Sequence, residues 1–224
     1  MKKKHCLSIF FIFFIVSCFN VVYADNASNY QIELVVFSHI TPQSLAMEQW
    51  SSASADFTAP NMTGHSRVLP PSSTLALRRE VNDIQQQPGY RIMTHLAWRD
   101  HLTSAQKTFT LYNGNLYDSE GNLVARNINA AHKSSFSNAL LHGTIAVTLG
   151  HYINMRIHLF LIEPVSLLKK LDSNGYFSTL NQPDFVFQLS ESRRMRSKEL
   201  NYFWHPVMGA LVKITPLHAK NQAS

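Results

Sequence analysis

The segment GTIAVTLGHYINMRIHLFLIEP, residues 143–164, constrains the fold more than any other. Ile145, Val147 and Leu149 alternate with smaller or polar residues; beyond Gly150 the alternation resumes in the other register with Ile153, Met155, Ile157, Leu159 and Leu161. A period of two places alternate side chains on opposite faces of an extended chain. One face of this segment is therefore apolar, and Asn154, Arg156 and His158 lie on a wet one. Gly150 marks either a bulge within one long strand or the turn of a hairpin.

Other stretches repeat the theme. YQIELVVF alternates Tyr30, Ile32, Leu34 and Val36 with polar Gln31 and Glu33. YRIMTHLAWR reads as extended, with Ile92, Leu96 and Trp98 on one face. TFTLYNGNLYDSEGNLVA reads as short strands joined at Asn113-Gly114 and again at Glu120-Gly121-Asn122. DFVFQLS and GALVKITP are further strands. The best helix is TLALRREVNDIQQQPG: Leu77, Val81 and Ile84 recur at helical spacing, Ser73 or Thr74 can cap it, and Pro88-Gly89 stops it. EPVSLLKKL reads as a short helix with Pro164 in its first turn. A Ser/Ala/Pro-rich stretch at about residues 41–73 reads as a long loop, with at most a helical turn near Leu45 to Trp50. No repeat of solenoid length occurs. The fold class expected is α+β: a single domain built on a largely antiparallel sheet with one or two helices.

The N-terminus points to export. Lys2, Lys3 and Lys4 precede the apolar LSIFFIFFIV, and VVYAD offers small or β-branched residues at Val22 and Ala24, the pattern of a signal peptide cleaved after Ala24. The apolar stretch is shorter than the roughly 20 residues of a spanning helix. IVSC, ending at Cys18, resembles a lipobox, so lipidation at Cys18 is the alternative. Residues 25–224 then form the periplasmic domain, with neither Cys6 nor Cys18 and hence no disulfide. A chain of this length buries about 70 % of its unfolded surface and needs no staples. Loss of three lysines lowers the formal charge from +6 to +3, which disfavours a nucleic-acid partner.

Several catalytic signatures are missing from the sequence: there is no Gly-x-Ser-x-Gly or His-Glu-x-x-His, and no glycine-rich phosphate loop. The histidines form no tight ligand pair, so neither metal nor cofactor is expected. The remaining signal is RRMRSKELNYFWHPVMGALVKITP, with four cations from Arg193 to Lys198. If extended, it sets Arg194, Arg196 and Lys198 on one face about 6.6 Å apart, a row of positive potential suited to an anionic polymer or an acidic partner. Arginine adds bidentate recognition of carboxylates. The competing role is a charged sheet edge that discourages pairing. Pro206 suits position i+1 of a turn with Gly209 at i+3. Tyr202 and Trp204 share a face and read as core, with a ligand shelf as the alternative; Trp50 and Trp98 are ambiguous in the same way.

YQIELVVFSH, YRIMTHLAWR and above all RRMRSKELNYFWHPVMGALVKI resemble the CsiV-type periplasmic proteins of Gram-negative bacteria, described as peptidoglycan-binding accessory factors. Arg193, Arg194, Met195, Arg196, Ser197, Tyr202, His205, Pro206 and Gly209 match the family's C-terminal pattern. Asn201 stands where the family usually has histidine, and Trp204 where an aspartate commonly precedes His-Pro. The resemblance implies a non-catalytic role: binding the wall polymer and an envelope lipoprotein cofactor of a bifunctional penicillin-binding protein. Arg193, Arg194, Arg196, Lys198, Tyr202 and His205 are the candidate ligand-binding residues. Two other readings stand beside it: an exported hydrolase of wall or lipid, and an envelope protein using its arginines weakly against anionic membrane surfaces.

Overall fold

The computed structural model describes residues 29–51, 75–129 and 140–217. The leader, Cys18 and most of the Ser/Ala/Pro-rich stretch lie outside the described residues. Among the described residues ten strands form two sheets. The four-stranded sheet runs β2 (Tyr90–His101), β1 (Asn29–His39), β10 (Met208–Pro216), β9 (Leu200–His205). The six-stranded sheet runs β5 (Leu123–Ala125), β4 (Asn115–Tyr117), β3 (Lys107–Tyr112), β6 (Leu140–Leu149), β7 (Ile153–Pro164), β8 (Asp184–Met195). Every neighbouring pair is antiparallel. Where one sheet was expected, two pack face to face, and the described helices are short. The antiparallel pairing and the few helices are as expected, and the domain is sheet-dominated.

One core fills the space between the sheets. Ile32, Leu34, Val36, Phe203, Val212 and Ile214 come from the four-stranded sheet, and Ile145, Met155, Ile157, Leu159, Phe185 and Phe187 from the six-stranded one. The alternation read from the sequence builds both inner faces directly, since every second side chain points the same way. Helix α3 (Val165–Leu171) and a 3₁₀ turn at Phe177–Thr179 add Val165, Leu168 and Phe177 to the same core. Gly150 belongs to a hairpin loop, with Leu149 paired to Ile153. Asn113 and Gly114 both take positive φ (48° and 78°) between β3 and β4, the tight-turn geometry that Asn-Gly favours.

Helix α1 (Pro42–Leu45) lies earlier than the turn expected near Leu45 to Trp50, because Thr41 and Ser44 cap each other's backbone N–H groups there. Helix α2 (Arg78–Gln85) covers part of the outer face of the four-stranded sheet, where Val35, Leu77 and Val81 form a small second cluster. Ile92 packs against that cluster and not beside Leu96 and Trp98 in the main core. The cause is a register shift against Val36/Phe37: Val36 faces Thr94 and Phe37 faces Ile92, so Met93 is bulged and the alternation reverses. At one end of the sandwich Arg91 of β2 bonds to the fully buried Glu163 of β7 and ties the sheets together. Burial pushes the Glu163 carboxyl above its ordinary range in spite of the adjacent guanidinium.

Candidate binding faces

The arginine motif lies where β8, the edge of one sheet, turns into β9, the edge of the other. It does not form one extended row. β8 ends at Met195, and residues 196–199 form a turn in which Lys198 takes φ +69° and its N–H donates to Ile214 O at 2.7 Å. The chain must leave one sheet and enter the other here, and a strand cannot do so without that break. Arg196 and Lys198 therefore sit on an exposed corner, with Arg196 Nη1 4.0 Å from Glu199. An exposed pair at that distance contributes little to stability.

Arg193 and Arg194 point to opposite sides of β8. The Arg193 guanidinium donates to Glu191 Oε1 (Nε, 3.1 Å) and lies 5.4 Å over the Phe203 ring. Glu191 Oε2 accepts the Trp204 N–H at 3.2 Å, so this pair covers an open edge group of β9. Arg193 stitches the two sheet edges together. Arg194 points out from the six-stranded sheet and stacks on Tyr152 of the β6–β7 hairpin, 4.3 Å from guanidinium carbon to ring centroid.

Tyr202 and Trp204 do not enter the core; Phe203 does. They lie on the outer face of the four-stranded sheet beyond the reach of α2, 37 % and 50 % exposed. The Tyr202 ring is parallel to Phe37 (6.1 Å, 6°), and Phe37 contacts Tyr90 at 5.8 Å. Gly209 makes this aromatic shelf possible: a Cβ there would lie 2.6 Å from both Phe37 Cζ and Tyr202 Cε2. Gly209 pairs with Trp204 and is not position i+3 of the turn; the turn runs His205-Pro206-Val207-Met208, closed by the Met208–His205 pair. Burial, together with the nearby Tyr90 phenol, raises the Tyr202 pKa.

His205 faces inward, 5.8 Å from Trp50 and 6.4 Å from Phe187. Its Nδ1 accepts the Val207 N–H at 3.3 Å, so the ring is neutral with its proton on Nε2. Burial and the neighbouring His39 lower its pKa to about 4. Trp50 is packing, its indole N–H donating to Leu45 O at 2.6 Å, and Trp98 is buried in the core. Asn201, at one of the departures from the family pattern, donates from its amide to Glu199 O at 3.2 Å.

The six predicted residues thus divide among five places: the seam (Arg193), the outer face of the six-stranded sheet (Arg194), the corner (Arg196, Lys198), the aromatic shelf (Tyr202) and a half-buried position against Trp50 and Phe187 (His205). The structure adds what the sequence reading missed. On the open face of the six-stranded sheet, Thr148, Asn154 and Arg194 form one cross-strand row, and Ala146, Arg156 and Ser192 the next. A third row holds Thr144, His158 and Ser190, and Gln188 donates to His158 Nε2 at 2.9 Å. Asn154, Arg156 and His158 were legible as a wet strand face, but their neighbours were not. Among the described residues no group of three His, Cys, Asp or Glu is placed to hold a metal ion, and no helix is long and apolar enough to cross a membrane.

Comparison with known proteins agrees with the motif. Searches among curated proteins and among solved structures gave no match. Residues 6–217 match the family described as "Peptidoglycan-binding protein, CsiV", a span that includes both sheets and the β8–β9 corner. The chain belongs to the CsiV family of peptidoglycan-binding proteins.

Proposed function

We propose that this protein is a periplasmic, non-catalytic peptidoglycan-binding adaptor that supports cell-wall synthesis through the lipoprotein cofactor of a bifunctional penicillin-binding protein. The observation that carries the reading is the family match over residues 6–217. Two features of the chain support it. The sandwich leaves an arginine-bearing polar face on one side and an aromatic shelf on the other, so a polymer and a protein could be held at once. The leader pattern ending at Ala24 fits export, with Cys18 lipidation as the alternative route to the same compartment.

The test is co-sedimentation of the exported protein with purified sacculi, with the soluble fraction assayed for released muropeptides. Pelleting without release is expected. Release would favour a wall hydrolase, and failure to pellet would remove the wall-binding reading. For the adaptor role, the lipoprotein cofactor should be captured by wild type and lost with Trp204→Ala or Tyr202→Ala; failure of wild type to capture it would leave wall binding without the adaptor. N-terminal sequencing of the exported form should begin at Asp25.

A further inference from the structure

We infer that the open face of the six-stranded sheet, centred on Arg156 and Arg194, is the site that takes carboxylates of an anionic wall polysaccharide. This rests on the wall-binding reading above and assigns it a surface. Arg156 and Arg194 are both exposed and lie on adjacent strands: Arg156 faces Ser192 and Arg194 faces Asn154, so the two are diagonal neighbours about 7–8 Å apart along the backbone. No carboxylate partner is recorded for either among the described residues. Arg79, Arg91, Lys107, Arg193 and Arg196 each have one, so what sets Arg156 and Arg194 apart from other unpaired cations is their shared place on one open sheet face.

The usual purpose of a charged strand residue does not account for Arg156. Charges blunt edges, but β7 is an interior strand flanked by β6 and β8. Outward positions of β6, β7 and β8 carry no acidic residue until Asp184, four positions before Gln188 and at the far end of the face. The face is thus positive around the two arginines, with a low floor of Ala146, Ser192 and Asn154 between them. A flat floor admits an extended polymer where a cleft would not. The guanidinium forks match carboxylates in a way lysine cannot, and the short hydroxyl and amide side chains suit sugar oxygens. Tyr152 under Arg194 holds that guanidinium in a set orientation.

The experiment compares the full exported protein with Arg156→Gln/Arg194→Gln, Arg156→Lys/Arg194→Lys and Arg196→Ala/Lys198→Ala in sacculus pelleting at low and moderate salt. Equal thermal melts confirm folding of these exposed-site variants. The Gln double variant should bind at least tenfold more weakly and the Lys variant should fall between it and wild type. The corner variant should pellet like wild type. Sacculi whose carboxyls have been amidated should no longer retain wild type. If wild type fails to pellet, the wall-binding reading itself falls, and this site with it. If wild type pellets and the Gln variant pellets equally, or amidated sacculi still bind, the site assignment is wrong while the wall reading survives. Loss of lipoprotein capture with pelleting unchanged would transfer these arginines to an acidic protein partner and overturn the proposal.

Discussion

Glu33 of β1 and His95 of β2 form a buried pair, Oε1 to Nε2 2.8 Å, directly beneath the start of α2. The same carboxylate accepts the Ala76 N–H at 2.7 Å and the Leu77 N–H at 3.0 Å. No side chain at the N-cap position bonds to the first turn of α2, so the sheet supplies the acceptor that its free N–H groups need. Burial alone pushes the Glu33 pKa up, but the His95 and backbone hydrogen bonds together hold it below the ordinary carboxylate range.

Glu33→Ala should therefore destabilise the fold by about 2–4 kcal/mol in urea unfolding, with faster amide exchange in α2. A loss below about 0.5 kcal/mol would show that the helix is anchored elsewhere. Because the folded pKa is depressed, the Glu33 contribution is present above the unfolded carboxylate range, near pH 4.3, and is lost as pH falls through the folded value.

His39 and His205 add a second acid-sensitive element. Burial lowers both pKa values, His205 to about 4, so the folded protein keeps them neutral where the unfolded chain, titrating near pH 6.5, takes up protons. Their contribution is complete above pH 6.5 and is lost as pH falls from there through about 4. Melting temperature should decline over that window, and His205→Asn should flatten the decline. A profile identical to wild type would assign the titration to other groups.

Lys198 occupies the left-handed region at φ +69°, where a Cβ is strained. Lys198→Gly should stabilise the protein by about 0.5–1 kcal/mol, offset partly by the added freedom of the unfolded chain. Sacculus pelleting should be unchanged. A destabilisation would mean that the lysine side chain makes a contact worth more than the relieved strain.

The tryptophans should separate cleanly in stability measurements. Trp98→Ala removes a 3 %-exposed core side chain in edge contact with Phe109 and should cost about 3–5 kcal/mol. Trp204→Ala removes a half-exposed one and should cost under about 1 kcal/mol, its effect appearing in partner capture.

Gly209→Ala should destabilise by about 1–3 kcal/mol, since Phe37 and Tyr202 fill the space a methyl group would need. Gly209→Ala combined with Tyr202→Ala should cost less than the sum of the two single changes, because truncating the ring opens that space.

Local chemistry was legible because its causes are local. The Asn113-Gly114 turn, the helix at Val165–Leu171 and the strand alternations other than that of β2 appear where the sequence places them, although Pro164 precedes the helix as its N-cap and does not lie in its first turn. Each follows from a side-chain period or a backbone preference that a few neighbouring residues determine. The start of α2 shows the limit: the cap candidates Ser73 and Thr74 lie outside the described residues, and a carboxylate 43 positions from Ala76 bonds the Ala76 N–H. The best-read helix thus has an end that no local rule describes.

The sequence by itself determined that β7 has one apolar and one polar face, that Tyr202 and Trp204 point the same way, and that positive charge collects before the last hairpin. Only the tertiary structure decided which side of each strand is covered. Parity along a strand is intrinsic, but whether that side meets a second sheet, a short helix or solvent depends on residues far away in the chain. So Phe203 is core while Tyr202 and Trp204 form a shelf, and Ile92 changes sides at a bulge. Arg193 and Arg194, adjacent in sequence, go to a structural seam and an open face. Arg156, unremarkable as a residue in a wet strand, becomes the neighbour of Arg194 only because β7 and β8 pair in one register.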